Sequence, residues 1–200
     1  MTPIQRCNHL TARSRLPWNG IYLFFEKGEE IELNGNRYAR IVRVGTHNKD
    51  GNFPQRIRQH YGNVNCLHGN KNGSVFRLHI GGALMIRNNP DDPRLPQWLK
   101  HMGDSDIHVE EAVSRQLRDT FDFVWIEVPR SEDRLSLEEG LIALLAKDPR
   151  NAPSKSWLGH HSAKETISRT GLWNTDKTSG RPLTETQFEY FRKLVNGNGT

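Results

Sequence analysis

Tyr22, Arg43, Arg56, His60 and Glu138 are the side chains of this 200-residue sequence whose types and order suit work on a phosphate group. Tyr22 closes the tripeptide Gly20-Ile21-Tyr22, and Arg43 stands in Ile41-Val42-Arg43-Val44-Gly45. Arg56 and His60 lie four residues apart in Arg56-Ile57-Arg58-Gln59-His60, so they share one face of a helix. A guanidinium grips phosphate oxygens through charge-assisted hydrogen bonds, and a phenol or an imidazole can pass a proton. Phosphodiester cleavage is the chemistry this set suggests.

Glu138 enters by a different route. Residues 136–147 are predicted to form a helix in which Leu137, Leu141, Ile142, Leu144 and Leu145 make one wide apolar stripe. At about 100° per residue Glu138 falls within the arc of Leu141, Ile142 and Leu145, whereas Glu139 falls outside it. A carboxylate on a packing stripe needs a cation, either a metal ion or a salt bridge to Arg56 or Arg134.

The elements that must position these groups are legible in outline. Residues 21–25 and 37–44 are β-prone and are predicted to pair as a hairpin, with Lys27-Gly28 and Asn34-Gly35 marking a long decorated loop between them. Phe53-Pro54 opens a helix that Gly62 ends. A second helix is predicted over 74–87 with Ser74 as its N-cap, although Gly81 and Gly82 weaken it by about 1 kcal/mol each. Residues 88–104 read as an excursion and 107–120 as a helix with Ile107, Val109, Val113 and Leu117 inward. Residues 121–128 read as a strand stopped by Pro129. Trp157, Leu172 and Trp173 are expected to anchor the polar stretch 151–186, before a closing helix over 185–195. The fold class is α+β: a small, mostly antiparallel three-stranded sheet flanked by helices, with a C-terminal loop-rich extension. The expected organisation is a loose basic arm at 1–17, a domain at 18–155 with an apparent insert near 88–120, an extension at 156–195 and a disordered tail at 196–200.

Composition narrows the class. Hydrophobic residues make up 34% and charged residues 26%, and no apolar run approaches the roughly 20 residues that cross a bilayer. A soluble protein without a membrane role is expected. Residues 1–17 carry no apolar core of a secretory signal. Lys and Arg number 28 against 23 Asp and Glu, a formal charge of +5 that suits a polyanionic partner. The excess lies mostly in residues 1–60, while 104–139 is acidic. Two cysteines build no disulfide framework, and a reducing cytoplasm is the expected location.

Competing motifs are weaker. Cys7-Asn8-His9 and Cys66-Leu67-His68 lack a usual zinc spacing. Asp122 and Glu127 are followed by Val128-Pro129, so the lysine of a carboxylate-type nuclease is missing. Gly81-Gly82 has no following Lys-Ser/Thr and reads as a packing pair instead of a phosphate loop. His160-His161 reads as surface, and a tryptophan of the extension could stack a base.

Taken in order, the motifs resemble the GIY-YIG nuclease family over about residues 18–155. Gly20-Ile21-Tyr22 matches the first signature, Ile41-Val42-Arg43-Val44-Gly45 stands where the second belongs, and Arg56-Ile57-Arg58-Gln59-His60-Tyr61 resembles the family's Arg-x-x-x-His-aromatic helix. Leu137-Glu138-Glu139-Gly140-Leu141-Ile142 is similar to its Leu-Glu-x-x-Leu-Ile element, and Asn151 is similar to its distal asparagine. The resemblance implies a DNA endonuclease, dependent on Mg²⁺ or Mn²⁺, that leaves 5′-phosphate and 3′-hydroxyl ends. It implies Glu138 as the metal's protein ligand and Arg56 as a phosphate clamp. Tyr22 would act as proton acceptor, directly or through His60, which is expected to titrate near neutrality. Asn151 would fix geometry. One departure is plain: Arg43 replaces the second signature's tyrosine. Period 2 places Ile41, Arg43 and Gly45 on one face, where Arg43 could bind a phosphate oxygen, and Tyr38 is a possible stand-in from the opposite face. The alternative is a nucleic-acid-binding module on a catalytically degraded nuclease scaffold.

Overall fold

The computed structural model describes residues 5–197. Among these, three strands, β1 (Gly20–Leu33), β2 (Asn36–Gly45) and β3 (Phe121–Glu127), form one antiparallel sheet in the order β2-β1-β3. Seven α-helices of the described residues surround it: α1 (Phe53–Tyr61), α2 (Val75–Asn88), α3 (Leu95–Leu99), α4 (Ile107–Thr120), α5 (Ser131–Lys147), α6 (Glu165–Thr170) and α7 (Glu185–Gly197). The mixed α+β architecture with a small antiparallel sheet is as expected. No described helix is long and apolar enough to cross a membrane.

The sheet separates two cores. On one face Tyr22 and Phe24 of β1 pack with Phe53, Ile57 and Tyr61 of α1 and with Phe76 of α2. On the other, Ile21 and Leu23 pack with Leu137, Leu141 and Ile142 of α5. Strand alternation therefore assigns α1 and α2 to the face that carries Tyr22, and α5 to its reverse.

Several elements differ from expectation for identifiable reasons. The hairpin has no long loop. Asn34 (φ 53°) and Gly35 (φ 76°) both adopt positive φ, the conformation of a two-residue turn for which Asn-Gly is suited, and the strands run up to it. Gly28 (φ 87°) lies within an irregularity between Phe25 and Glu30, so the other turn signal marks a break in pairing inside a strand. A second register shift between Phe24 and Phe25 pairs Phe24 with Arg43 but Phe25 with Ile41. That shift breaks the simple alternation: Arg43 and Gly45 share the face of Tyr22, while Ile41 packs with the opposite core. Helix α5 begins at Ser131, ahead of the expected 136, with Glu132 and Asp133 in the first turn where carboxylates suit the helix dipole. Ile107 is exposed at the start of α4, which Asp106 caps. The excursion at 88–104 contains the short α3, whose Trp98 fills the space over Gly81; a Cβ there would lie 2.2 Å from the ring. The glycine pair is a packing device.

Both edges of the sheet are covered. Cys7 exchanges two 2.8 Å backbone hydrogen bonds with Phe123 at the outer edge of β3, so the basic arm is docked where a loose segment was expected. At the edge of β2, Trp173 N–H donates to Val42 O at 2.7 Å, and the Asn174 side chain bonds both the N–H and the carbonyl of Val44. The extension helix α7 runs through Gly197, and the remainder of the expected disordered tail, 198–200, lies outside the described residues.

Candidate active site

Tyr22 and His60 meet first. The Tyr22 hydroxyl lies 2.8 Å from His60 Nε2, with the side chains 1% and 0% exposed. The commoner fate of a strand tyrosine, a hydroxyl in solvent, does not apply here. His60 Nδ1 lies 2.8 Å from Ser74 Oγ, which also accepts from Arg77 N–H as the N-cap of α2. Ser74 Oγ can accept from both Arg77 N–H and a protonated Nδ1, which leaves Nε2 free to accept from the phenol. Gly45 makes room for that phenol. A Cβ on Gly45 would sit 2.2 Å from the Tyr22 hydroxyl oxygen, so only glycine fits opposite Tyr22.

Cations ring the pair. Arg43 reaches across the Tyr22 face, stacks its guanidinium 4.8 Å above Phe76 and donates to Trp173 O at 2.7 Å. Burial lowers its proton affinity, the Tyr22 oxygen and the Glu138 carboxylate raise it, and Arg56 opposes them, so these four groups sense one another. Arg43 Nε has no hydrogen-bond partner among the described residues. Arg56, half-buried on α1, donates to Gly73 O at 3.0 Å and to Gln59 Oε1 at 3.1 Å. Burial, followed by the charges of Arg56, Arg43 and Arg77, holds the His60 imidazolium well below the usual histidine range. His60 is therefore neutral at physiological pH, which corrects the expectation that it titrates near neutrality.

Glu138 arrives from behind the sheet. Helix α5 packs on the reverse face, and Glu138 sits where its side chain meets the end of β2: Thr46 N–H donates to Oε1 at 3.0 Å. The Thr46 hydroxyl in turn donates to Gly20 O at 2.7 Å, and Gly20 N–H donates to His47 Nε2 at 3.3 Å. The two signature strands and the carboxylate are thus tied through Thr46. The cation for Glu138 is neither Arg56 nor Arg134. Lys177 Nζ pairs with Oε2, while Arg134 is buried against the carbonyls of Val128 and Pro129 and bonded to Asp50 at 2.6 Å.

Tyr22, Arg43, Arg56, His60 and Glu138 therefore gather at one end of the sheet. Asn151 is placed elsewhere. It is buried beside Arg40, whose guanidinium donates to its carbonyl at 3.5 Å, and its side-chain Nδ2 has no partner among the described residues. Tyr38 is exposed, pairing with Ile31 far along the hairpin, and does not stand in for the missing phenol. Sequence reasoning did not place Thr46, His47, Trp173 or Lys177 here. Ser74 was legible as a helix cap, but not as the partner of His60.

The strand end of this small antiparallel sheet thus combines a buried phenol–imidazole pair, guanidinium groups beside it and a carboxylate. The chain belongs to the GIY-YIG domain family, whose sequence pattern matches residues 2–198. That family's fold is a nuclease fold. No curated protein and no solved structure matches the chain significantly.

The family implies a divalent metal. Among the described residues no group of three or more His, Cys, Asp and Glu side chains could hold one. The carboxylate is suited to a cation, because the Thr46 N–H fixes one oxygen and the other already faces an ammonium.

Proposed function

We propose that this protein is a divalent-metal-dependent DNA endonuclease that hydrolyses phosphodiester bonds to 5′-phosphate and 3′-hydroxyl ends. The observation that carries the reading is the 2.8 Å Tyr22–His60 contact, buried at the strand end that also receives Glu138. Glu138 would hold the metal, Mg²⁺ or Mn²⁺, which when bound neutralises charge that builds on the scissile phosphate. Arg56 binds a non-bridging oxygen through its free donors, and Arg43 supplies positive potential with its unpartnered Nε.

The proton path follows from the hydrogen bonds. With Nδ1–H directed to Ser74 Oγ, the neutral imidazole draws the phenol's proton toward Nε2 and exposes a phenol lone pair. As the attacking water gives its proton to the Tyr22 oxygen, the phenol's own proton passes to Nε2. The water oxygen forms the new P–O bond as the P–O3′ bond breaks, and the 3′-oxygen leaves with the electron pair and takes a proton from solvent. Burial and three guanidinium groups make the imidazolium a costly carrier, so the proton resides there only during the displacement.

Trp18 supplies a substrate contact. It is 73% exposed two residues before Gly20, and its ring packs 3.1 Å from where a Gly51 Cβ would be. With Arg13 and Arg15 exposed a few residues before it in sequence, it would offer a stacking platform for a base. Trp157 and Trp173 do not serve that purpose: both are buried, their indole N–H groups bonded to Glu26.

Plasmid incubated with the protein and Mg²⁺ or Mn²⁺ tests the reading, beside Glu138→Gln and Tyr22→Phe variants. Nicking lost in both variants supports it. The second reading, a DNA-binding module on a retired scaffold, is favoured by Arg43, which replaces a phenol and has one donor committed to Trp173 O. Salt-dependent DNA binding with no wild-type cleavage on duplex, branched or single-stranded substrates would establish it instead.

A further inference from the structure

The extension runs along α5 as a strap. It leaves the β2 edge at Asn174, whose side chain bonds both backbone groups of Val44 at 3.0 and 2.8 Å. It then meets three consecutive residues of α5: Lys177 pairs with Glu138, Gly180 packs against Glu139, and Leu183 occupies the space over Gly140. Lys147, at the end of α5, donates to Gly180 O at 2.7 Å. The apex of the strap is thus held on both sides, with Lys177 facing the one carboxylate assigned to the metal.

Two details set this ion pair apart from an ordinary surface pair. Lys177 has φ 65°, in the left-handed region where glycine or asparagine is the cheaper residue. Its ammonium is held on a carboxylate whose other oxygen is fixed by Thr46 N–H, so Glu138 has one oxygen free to choose a cation. The Lys177 side chain is 33% exposed against 14% for Glu138. It can swing into solvent without breaking the Asn174 or Gly180 anchors.

We infer that Lys177 is a resident counter-ion that occupies the metal position on Glu138 and is displaced when a divalent cation binds, so that the strap sets the metal affinity of the site. The inference rests on the metal role proposed for Glu138. Binding energy that the metal gains from the carboxylate is reduced by the fraction of molecules in which the ammonium holds it. Removing the ammonium should tighten metal binding by about tenfold or more, because the competent state no longer competes with the closed one.

Isothermal titration of the full chain with Mn²⁺ alone, without DNA, is the test. Lys177→Gly removes the charge and suits the backbone angle, Lys177→Met keeps the length of the side chain, and Lys177→Arg keeps the charge. Thermal melting confirms that each is folded. The expected result is Mn²⁺ binding about tenfold tighter in Lys177→Gly and Lys177→Met, near the wild-type value in Lys177→Arg, and lost in Glu138→Gln. Unchanged or weaker binding in both uncharged variants, with Glu138→Gln still abolishing it, overturns the inference and leaves the proposed metal site standing. Binding that is absent throughout, or indifferent to Glu138→Gln, overturns the metal site and the inference together.

Discussion

The two halves of the site are built on opposite principles. Tyr22 and His60 belong to the aromatic core: Phe24, Phe53 and Phe76 surround them at ring-centroid distances of 5.5–6.0 Å, and both side chains are buried. Glu138 and Lys177 lie at the rim, partly exposed, on a helix that faces the other core and a strap that crosses it. The buried half has one arrangement, fixed by packing and by the missing Cβ of Gly45. The rim half holds its carboxylate on an ion pair that is partly exposed. On the proposed function, proton handling would thus be built into the stability of the fold, whereas charge neutralisation would be left adjustable.

That contrast makes the variants behave differently. Glu138→Gln should reduce cleavage by about 10³-fold or more, since several kcal/mol of charge stabilisation is withdrawn, while its melting temperature stays near wild type. A large drop in melting temperature would show that the rim carries the fold as well. Tyr22→Phe should lower the cleavage rate by about 10²-fold and also destabilise the protein by about 1–3 kcal/mol, because His60 Nε2 is left buried without a partner. Urea unfolding followed by circular dichroism separates the two effects. A fully stable Tyr22→Phe would break the comparison from the other side.

Two pH experiments sharpen it. His60 is held below its ordinary range, so the neutral form that accepts from Tyr22 persists as pH falls past 6.5; the acid limb of the cleavage rate should lie below that value. A limb at or above 6.5 would mean that the imidazole is not shielded as its burial and its three guanidinium neighbours require. Glu26 lies on the Tyr22 side, buried between the indoles of Trp157 and Trp173, and burial pushes its carboxyl from 4.5 up to about 7. A raised folded-state value means that stability from this group is complete below pH 4.5 and lost as pH rises through 7. Wild type should therefore lose about 2–3 kcal/mol relative to Glu26→Gln between about pH 4.5 and 8, measured as the difference in unfolding free energy. The comparison with Glu26→Gln cancels the opposing contribution of His79, which burial lowers to about 4. The smallest effect belongs to Trp18→Ala: roughly fivefold weaker DNA binding, in line with about 1 kcal/mol of lost stacking, with stability unchanged.

How much of this was legible beforehand depended on whether the signal was local. Gly20-Ile21-Tyr22, the i,i+4 spacing of Arg56 and His60, and Glu138 on its apolar stripe are short-range patterns, and each leads to a side chain at the site. The Ser74 cap and the Phe53-Pro54 start were read for the same reason. Register was not local. The shift at Phe24/Phe25 moved Ile41 to the reverse face, and nothing in the alternation of 37–44 announces it. Lys177 was invisible because its partner lies 39 positions away and neither its neighbours nor its spacing mark it. Trp157 and Trp173 were recognised as anchors, but their shared acceptor, Glu26, is separated from them by 131 and 147 positions. Asn151 followed family order alone, and its surroundings contain Arg40 and Gly171.

The acceptor for Arg43 and the partner for Glu138 both come from residues 173–177, near the far end of the described chain from Tyr22. During synthesis, a polypeptide emerging from the ribosome exposes the signature strands, α1 and α5 well before those residues appear. Until then the edge of β2 is uncapped and the arginine beside the phenol lacks the carbonyl that aims it. A nascent chain would thus carry Tyr22, Arg43 and Glu138 before the contacts that fix their final geometry exist.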